Sequence, residues 1–368
     1  MKKIKISEPQ LDAREKKILS KVIDSKIIAS GSYVSDFEDA FARFLGSKFA
    51  VATTSGTTAL HAALLALGVG KGDIVVTTPY SFIATSNSVL FTGAKPVFID
   101  IEENSFNIDL DNFEEYIEKH KNKISSVIIV HLYGNPVDMF RVNKICRRYG
   151  IRVIEDCAQS HGASIKDKLT GTFGLTGCFS FYATKNMTTG EGGMVVTDDK
   201  NLNDLLRKLI NHGRKSRFEH DILGYNFRMT NLQAGLGIVQ LEKLSRMTEL
   251  RIKNAEYLSK NLKKFAWINV PGATVSKSKH VYHQYTIRVP ASCRERLVEF
   301  LNSKGIDVST IYPFTIPEQP LYRRLGYSIK NLPVSMKVSR EVISLPVHPG
   351  LKKDDLDLII NSIGEFDV

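Results

Sequence analysis

The chain predicts an α/β protein with a mostly parallel sheet in a large domain and a smaller α+β domain at its carboxyl end. Two observations carry this. From about residue 50, short β-rich runs alternate with stretches of helical period, the pattern of a sheet covered on both faces. After "GGMVVTDD" the alternation gives way to one long helical region, residues 230–264. A length of 368 residues accommodates two domains. The boundaries read as 15–245 and 246–368, with residues 1–14 packing near the second unit.

Each element follows from local pattern. "TTALHAALLALG" (57–68) has helical spacing and a glycine stop at Gly68. "DIVVTTP" is a strand ended by Pro79, and a helix from Ser81 to Thr92 closes on Gly93. "KPVFID", "SSVIIVHLYG" and "RVIED" are strands, with the amphipathic helix "VDMFRVNKICRRYG" between the last two. Gly235 and Gly237 are weak points in the long helix. Beyond Pro271 come "YHQYTIRV", a helix around 292–303 ended near Gly305, "GIDVST", the helical "SMKVSREVI", "LPVHP" and a final helix from about 353.

Composition narrows the function. With 43% hydrophobic and 24% charged residues the chain is globular rather than disordered. Its net charge of +11 raises nucleic acid as a partner. The basic residues are scattered, however, and no nucleic-acid motif is present, so a solvated basic surface is the reading. The same charge would attract phosphorylated small substrates. Four cysteines without CxxC spacing read as buried reduced thiols of a cytoplasmic protein. No apolar run approaches the roughly 20 residues of a membrane span, and the start lacks the apolar core of a signal peptide.

Three features could carry chemistry. Asp156 ends the strand "RVIED", where open α/β sheets place ligands. It either caps the following turn or holds a cationic ring nitrogen. Ser55, Gly56 and Thr57 open an alanine-rich helix. They are good N-cap residues, and equally a site where free N–H groups and the helix dipole receive a phosphate. Lys185 lies between the strand "GCFSFYA" and the Gly192-Gly193 turn, which would let the chain pass close behind it. A loop lysine is usually solvated, but near a strand end beside Asp156, burial would lower its pKa and make it a nucleophile for aldehydes. An acid for a pyridinium, a helix terminus for a phosphate and a lysine for an aldehyde together suggest pyridoxal 5'-phosphate (PLP).

The ordered motifs "GSYVSDFEDAF", "VATTSGTTALHAALLALGVGKGD", "PYSFIATSNSVLFTGAKPVFIDIEENSFNID", "VIEDCAQSHGA", "CFSFYATKNMTTGEGGMVVTDD", "NHGR", "GYNFRMTNLQA" and "ISLPVHPGL" resemble the DegT/DnrJ/EryC1/StrS family of PLP-dependent nucleotide-sugar aminotransferases over nearly the whole chain. The resemblance implies the fold-type I aminotransferase architecture, with Lys185 as the Schiff-base lysine and Asp156 as the pyridinium partner. It places Gln159 near the ring hydroxyl, Phe82 on the ring face, and Gly56, Thr57 and Ser180 at the phosphate. Asn226 would reach the cofactor of a neighbouring subunit, implying a homodimer with shared active sites, and Arg228 would belong to the same anionic neighbourhood. Tyr312 would have a substrate role, and no metal is implied. The implied reaction moves an amino group, from L-glutamate, to a nucleotide-linked keto-sugar, at C4 rather than C3 from the look of "KNMTTGEGGMVV" and "GYNFRMTNLQA". Two departures stand out: Cys157 where many relatives have alanine, and "IYPFTIPEQ" in place of the usual "YPxPLH". Another fold-type I enzyme, a lyase or desulfurase, and a non-catalytic regulatory protein on the same fold are the alternatives.

Overall fold

The computed structural model describes residues 3–273 and 275–368. Seven strands make the main sheet: β1 (Phe49–Thr53), β2 (Ile74–Thr77), β3 (Lys95–Phe98), β4 (Ile124–Val130), β5 (Arg152–Asp156), β6 (Thr176–Ser180) and β7 (Gly193–Thr197). Their spatial order is β3-β2-β4-β5-β6-β7-β1. Every pairing is parallel except the two made by β7. The carboxyl ends of β1, β2, β4, β5 and β6 therefore share one rim, and the start of β7 joins them. The order reverses between β2 and β4, the kind of switch point where such sheets bind ligands.

Strand alternation divides the apolar side chains between two faces. Ile128 of β4 packs with Val75, Ile154, Cys178 and Val195 against a helix on one face, while Val127 and Ile129 join a core on the other. Helices α1 (Ala13–Asp24) and α2 (Ser32–Leu45) precede the sheet, and α3 (Gly56–Ala66), α4 (Ala84–Phe91), α5 (Leu110–His120), α6 (Met139–Arg148) and α7 (Lys200–Leu209) cross over its faces. Helix α3 is apolar nearly all round because it is buried nearly all round. It ends where expected, with Gly68 in the left-handed region at φ 70°. Helix α4 starts three residues later than its sequence pattern suggests, which leaves Ser81 and Phe82 on the rim.

Helix α8 (Asn231–Leu262) runs 32 residues without interruption. Its glycines are not the weak points expected of them. A Cβ on Gly237 would lie 2.6–2.8 Å from the Phe37 ring of α2, and one on Gly235 would meet Val22 of α1 at 3.1 Å. Each glycine lets a neighbouring helix cross close to α8, so packing outweighs helix propensity. Gly237→Ala should therefore destabilise the protein by about 1–3 kcal/mol despite alanine's better propensity. Urea unfolding checks this; an unchanged midpoint would mean that Phe37 moves aside freely.

A second core lies along the carboxyl half of α8. Ala255, Leu258 and Leu262 pack there with the antiparallel strands Tyr285–Arg288 and Val342–Leu345 and with helices α9 (Arg294–Ser303) and α12 (Lys353–Gly364). Ile4 belongs to this core: its N–H donates to the Gly305 carbonyl at 2.9 Å and its carbonyl accepts from Asp307 N–H at 2.8 Å. Helices α10 (Pro320–Arg324) and α11 (Pro333–Glu341) complete the chain. The helix read in "SMKVSREVI" stops at Glu341, because Val342 and Ile343 pair with Arg288 and Ile287 and are fully buried.

Candidate active site

Asp156 stands at the end of β5, buried at 5% exposure. Its Oδ2 accepts from the Thr85 hydroxyl at 2.8 Å and its Oδ1 from Ala158 N–H at 3.1 Å. The Ser81 hydroxyl donates in turn to Thr85 Oγ1 at 3.0 Å. Burial pushes the Asp156 carboxyl above its ordinary range, against the pull of these donors and of Lys185. A desolvated carboxylate of this kind is set to receive a cationic group.

Beyond β6 the chain turns at Tyr182, whose carbonyl accepts Lys185 N–H at 2.9 Å. The Lys185 side chain lines the same cavity as Asp156. Burial lowers its ammonium pKa to about 8, with Asp156 opposing. A lysine so lowered has an appreciable neutral fraction near physiological pH and can act as a nucleophile or base. The sign for stability follows from proton binding. Between about 8 and the ordinary 10.5, the unfolded chain holds the proton that the folded chain has released, so this group makes stability rise with pH there. The cofactor-free protein should show that rise in melting temperature, and Lys185→Met should remove it. Parallel curves for the two proteins would contradict the lowered pKa.

The first turn of α3 closes another side. Ser55 caps the helix, accepting from Thr58 N–H at 3.2 Å while its own N–H donates to Thr58 Oγ1 at 3.0 Å. Two glycines allow the rim elements to meet. A Cβ on Gly56 would lie 2.6 Å from the Ser180 Cβ, so only glycine seats α3 on the end of β6. One on Gly193 would lie 2.2 Å from the Ser55 carbonyl oxygen. The Gly192-Gly193 turn thus makes a close approach to the α3 cap, and at Gly192 to Thr189 and Met229.

Gln159 ties two distant tyrosines to the rim. Its Oε1 accepts from Tyr133 N–H at 2.7 Å, and its Nε2 donates to the Tyr312 hydroxyl at 2.9 Å. Tyr312 sits in the left-handed region at φ 61°, and burial raises its phenol well above the ordinary value. Phe82 is 59% exposed at the cavity's edge. The cavity has a volume of about 790 Å³ and touches Gly56, Thr57, Ser180, His283 and the 310–316 segment, within the range of small-molecule sites.

Asn226 and Arg228 are not brought to this cavity. Asn226 is exposed and bridges by its backbone to Asn211, whose side chain accepts from Arg228 Nη1. Thr85, Ser81, Tyr133 and His283 escaped the sequence reading. Ser81 and Thr85 do flank the selected "SFIAT", but a hydroxyl on a helix's first turn has no signature apart from its partner.

The four cysteines are free and buried. Burial pushes the thiols of Cys157 and Cys178 well up, so neither is a ready nucleophile for desulfurase chemistry. His131, Glu155 and Cys157 lie close enough to suggest a metal. Glu155, however, already accepts N–H groups from Gly171, Phe173 and Gly174 at 2.7–2.8 Å and meets His131 Nε2 at 3.0 Å. His131 Nδ1 accepts from Val137 N–H at 3.2 Å. The group is a saturated structural clamp.

Residues 9–364 match the DegT/DnrJ/EryC1/StrS aminotransferase family. The chain belongs to this family. Among its relatives, a pleiotropic regulatory protein of Geobacillus stearothermophilus is 38% identical, over 97% of this chain and 95% of its own. GDP-perosamine synthase of Escherichia coli O157:H7 is 34% identical over 100% and 99%. The UDP-N-acetyl-3-dehydro-alpha-D-glucosamine 3-aminotransferase of Acidithiobacillus ferrooxidans is 34% identical over 94% and 91%. The crystal structure of S. venezuelae DesV in complex with a ketimine intermediate superposes with a TM-score of 0.92 at 32% identity, covering 96% of this chain and 94% of that one. This family member is accordingly a PLP-dependent sugar aminotransferase of the α/β aminotransferase fold. Its residues fit the cofactor: a buried carboxylate set to receive a cation, an amine with lowered proton affinity and a free helix N-terminus line one cavity. Among the described residues no helix is long and apolar enough to cross a membrane.

Proposed function

We propose that this chain transfers an amino group from L-glutamate to a keto-sugar carried on a nucleoside diphosphate, at C4 of the sugar rather than C3. The observation that carries the reading is the meeting of Lys185, Asp156 and the α3 N-terminus around one cavity with room for a second ligand. Bound PLP would supply an aldehyde that takes the donor's nitrogen and a ring that draws electrons from the reacting carbon. Lys185 Nζ would hold the cofactor and, once released from it, would take and return the proton at the reacting carbon. Asp156 keeps the ring nitrogen protonated, and Thr85 and Ala158 hold its carboxylate in place. Gly56, Thr57 and Ser180 receive the phosphate. Gln159 would reach the ring hydroxyl, and Phe82 would cover the ring face. Tyr312, tied to Gln159 from across the cavity, faces the sugar substrate. The preference for C4 rests on the segments 185–196 and 224–234; relatives that make perosamine and that act as a 3-aminotransferase are both at hand.

The test is a panel of nucleotide-linked 3-keto and 4-keto sugars with glutamate, following 2-oxoglutarate. Amination of a 4-keto sugar is expected. Amination confined to 3-keto sugars overturns the regiochemistry, and loss of sulfur or a side chain from an amino acid without any amination overturns the reaction.

The two units are residues 15–245 and 246–368. Along α8, Leu244 packs with the main sheet, while Ala255 belongs to the second core. The active form is a homodimer in which Asn226 and Arg228 serve the anionic end of the partner's site. Exposed Ile27, Ile28, Phe91, Phe218 and Leu223 supply apolar surface for such an assembly. Mixing Asn226→Ala and Lys185→Ala chains should restore activity, because one site of the mixed dimer then holds both wild-type residues. No restoration would place Asn226 with its own chain's site.

A further inference from the structure

Lys185 is followed by Asn186, which is buried and whose side chain grips another part of the chain. Its Nδ2 donates to the Val281 carbonyl at 3.2 Å, and its Oδ1 lies 3.2 Å from His283 Nδ1. Since Oδ1 only accepts, His283 carries its proton on Nδ1. Between Val281 and His283, Tyr282 adopts φ 43°, a conformation that a bulky residue keeps only where its surroundings impose it.

Tyr282 N–H donates to His280 Nδ1 at 3.0 Å, and its ring stacks on that of His280 at 3.8 Å. Arg251, from the carboxyl half of α8, grips the carbonyl side of the same turn. Its Nη1 donates to the His283 carbonyl at 3.3 Å and reaches the Tyr282 carbonyl at 3.5 Å. Arg251 is only 4% exposed, and among the described residues no carboxylate pairs with it. Its Nε has no hydrogen-bond partner among them either. A buried guanidinium without a counter-ion is expensive, and burial lowers its pKa to about 10. Such a residue persists where it does something that a packed apolar side chain would not.

Around it, His161 from the turn after β5 packs on Phe179 and Phe181 at centroid distances of 5.5 and 5.7 Å. Neither of its ring nitrogens meets a partner in hydrogen-bonding geometry, although the Ser180 backbone lies near. The charged and titratable groups facing this compartment include Lys185 beyond β6, Arg251 of α8, the buried His348 near Arg251 and, across the rim, Asp156 of β5. Burial first, and then the nearby cations Lys185 and Arg251, hold His161 and His283 well below the ordinary histidine range.

We propose that Arg251 is a positioning residue for Lys185, acting through the 282–283 carbonyls, His283 and Asn186. Helix α8 spans both cores, so this chain of contacts ties the lysine loop to the element on which the two halves of the molecule are mounted. The idea rests on Lys185 being the cofactor lysine.

The test uses the holoenzyme. In Arg251→Met, the pH midpoint of the bound cofactor's visible absorbance should shift by about one unit. Turnover should fall roughly tenfold to a hundredfold, with KM for donor and acceptor held within about twofold. Arg251→Lys keeps a cationic N–H donor for the two carbonyls, which one nitrogen serves here, and should recover much of the midpoint and turnover; a folded Arg251→Lys that behaves like Arg251→Met would overturn the route. An unchanged midpoint and turnover in a folded Arg251→Met, with only melting temperature lowered, would make the residue merely structural. If Arg251→Met does not fold, Asn186→Ala breaks the last contact and should give the same shift; wild-type behaviour there overturns the proposal. Borohydride fixation of wild type separates the two levels. No label on Lys185 defeats both readings, whereas a label with unshifted variants defeats this one alone.

Discussion

Lys185→Arg should abolish borohydride fixation of the cofactor and lower turnover by at least about 10²–10⁴-fold, the share that a positioned acid–base group contributes. The replacement keeps a cation near Asp156 but cannot give up its proton, so the loss isolates the chemistry of the amine from its charge. Mass spectrometry after reduction is the first readout: a mass increase on a peptide containing Lys185 in wild type, and none in the variant. The second is glutamate-dependent formation of 2-oxoglutarate in a single half-reaction. Near-wild-type rates in the variant would remove Lys185 from the chemistry. The expectation rests on the lysine's placement beside Asp156 in a cavity wall, where burial brings its pKa to about 8; a solvated loop lysine would not respond this way.

Asp156→Asn should lower kcat/KM by roughly 10²–10³-fold, the range seen when one preorganised electrostatic partner is removed. It should do so without destabilising the cofactor-free protein. The sign is worked out from burial: the folded chain holds this carboxyl's proton more tightly than the ordinary 3.8, so its contribution to stability is lost as pH rises through the raised value. At neutral pH the charge therefore works against folding, and the neutral amide relieves it. The melting temperature of the cofactor-free variant at neutral pH should equal or exceed that of wild type while activity collapses. A large drop in stability would mean that the hydrogen bonds from Thr85 and Ala158 need the carboxylate more than burial opposes it.

Much of the fold was legible because its signals are local. The period-2 and period-3.6 patterns located β2–β7 and helices α3, α4 and α6, and Gly68 ended α3 by the turn chemistry expected of it. Where local pattern misled, a distant partner was responsible. Gly235 and Gly237 looked like flaws in α8 until the Phe37 ring and Val22 filled the space a side chain would need. Val342 and Ile343 have helical neighbours but are drawn into a strand by Arg288 and Ile287.

The candidate site divides along the same line. Asp156, Lys185 and the Ser55-Gly56-Thr57 turn could be picked out because strand ends and helix starts are positions that sequence pattern identifies. Their partners could not. Thr85 lies 71 residues from Asp156, Tyr312 lies 153 from Gln159, and His283 lies 97 from Asn186. By itself the sequence determined that a lysine, a carboxylate and a helix N-terminus stand at the ends of sheet elements, since backbone periodicity and capping act over a few residues. Only the tertiary structure decided that they face one cavity, that Gly56 and Gly193 permit it, and that Asn226 and Arg228 stand outside it. Those outcomes depend on how strands hundreds of atoms apart are ordered across the sheet, and no local pattern encodes that order.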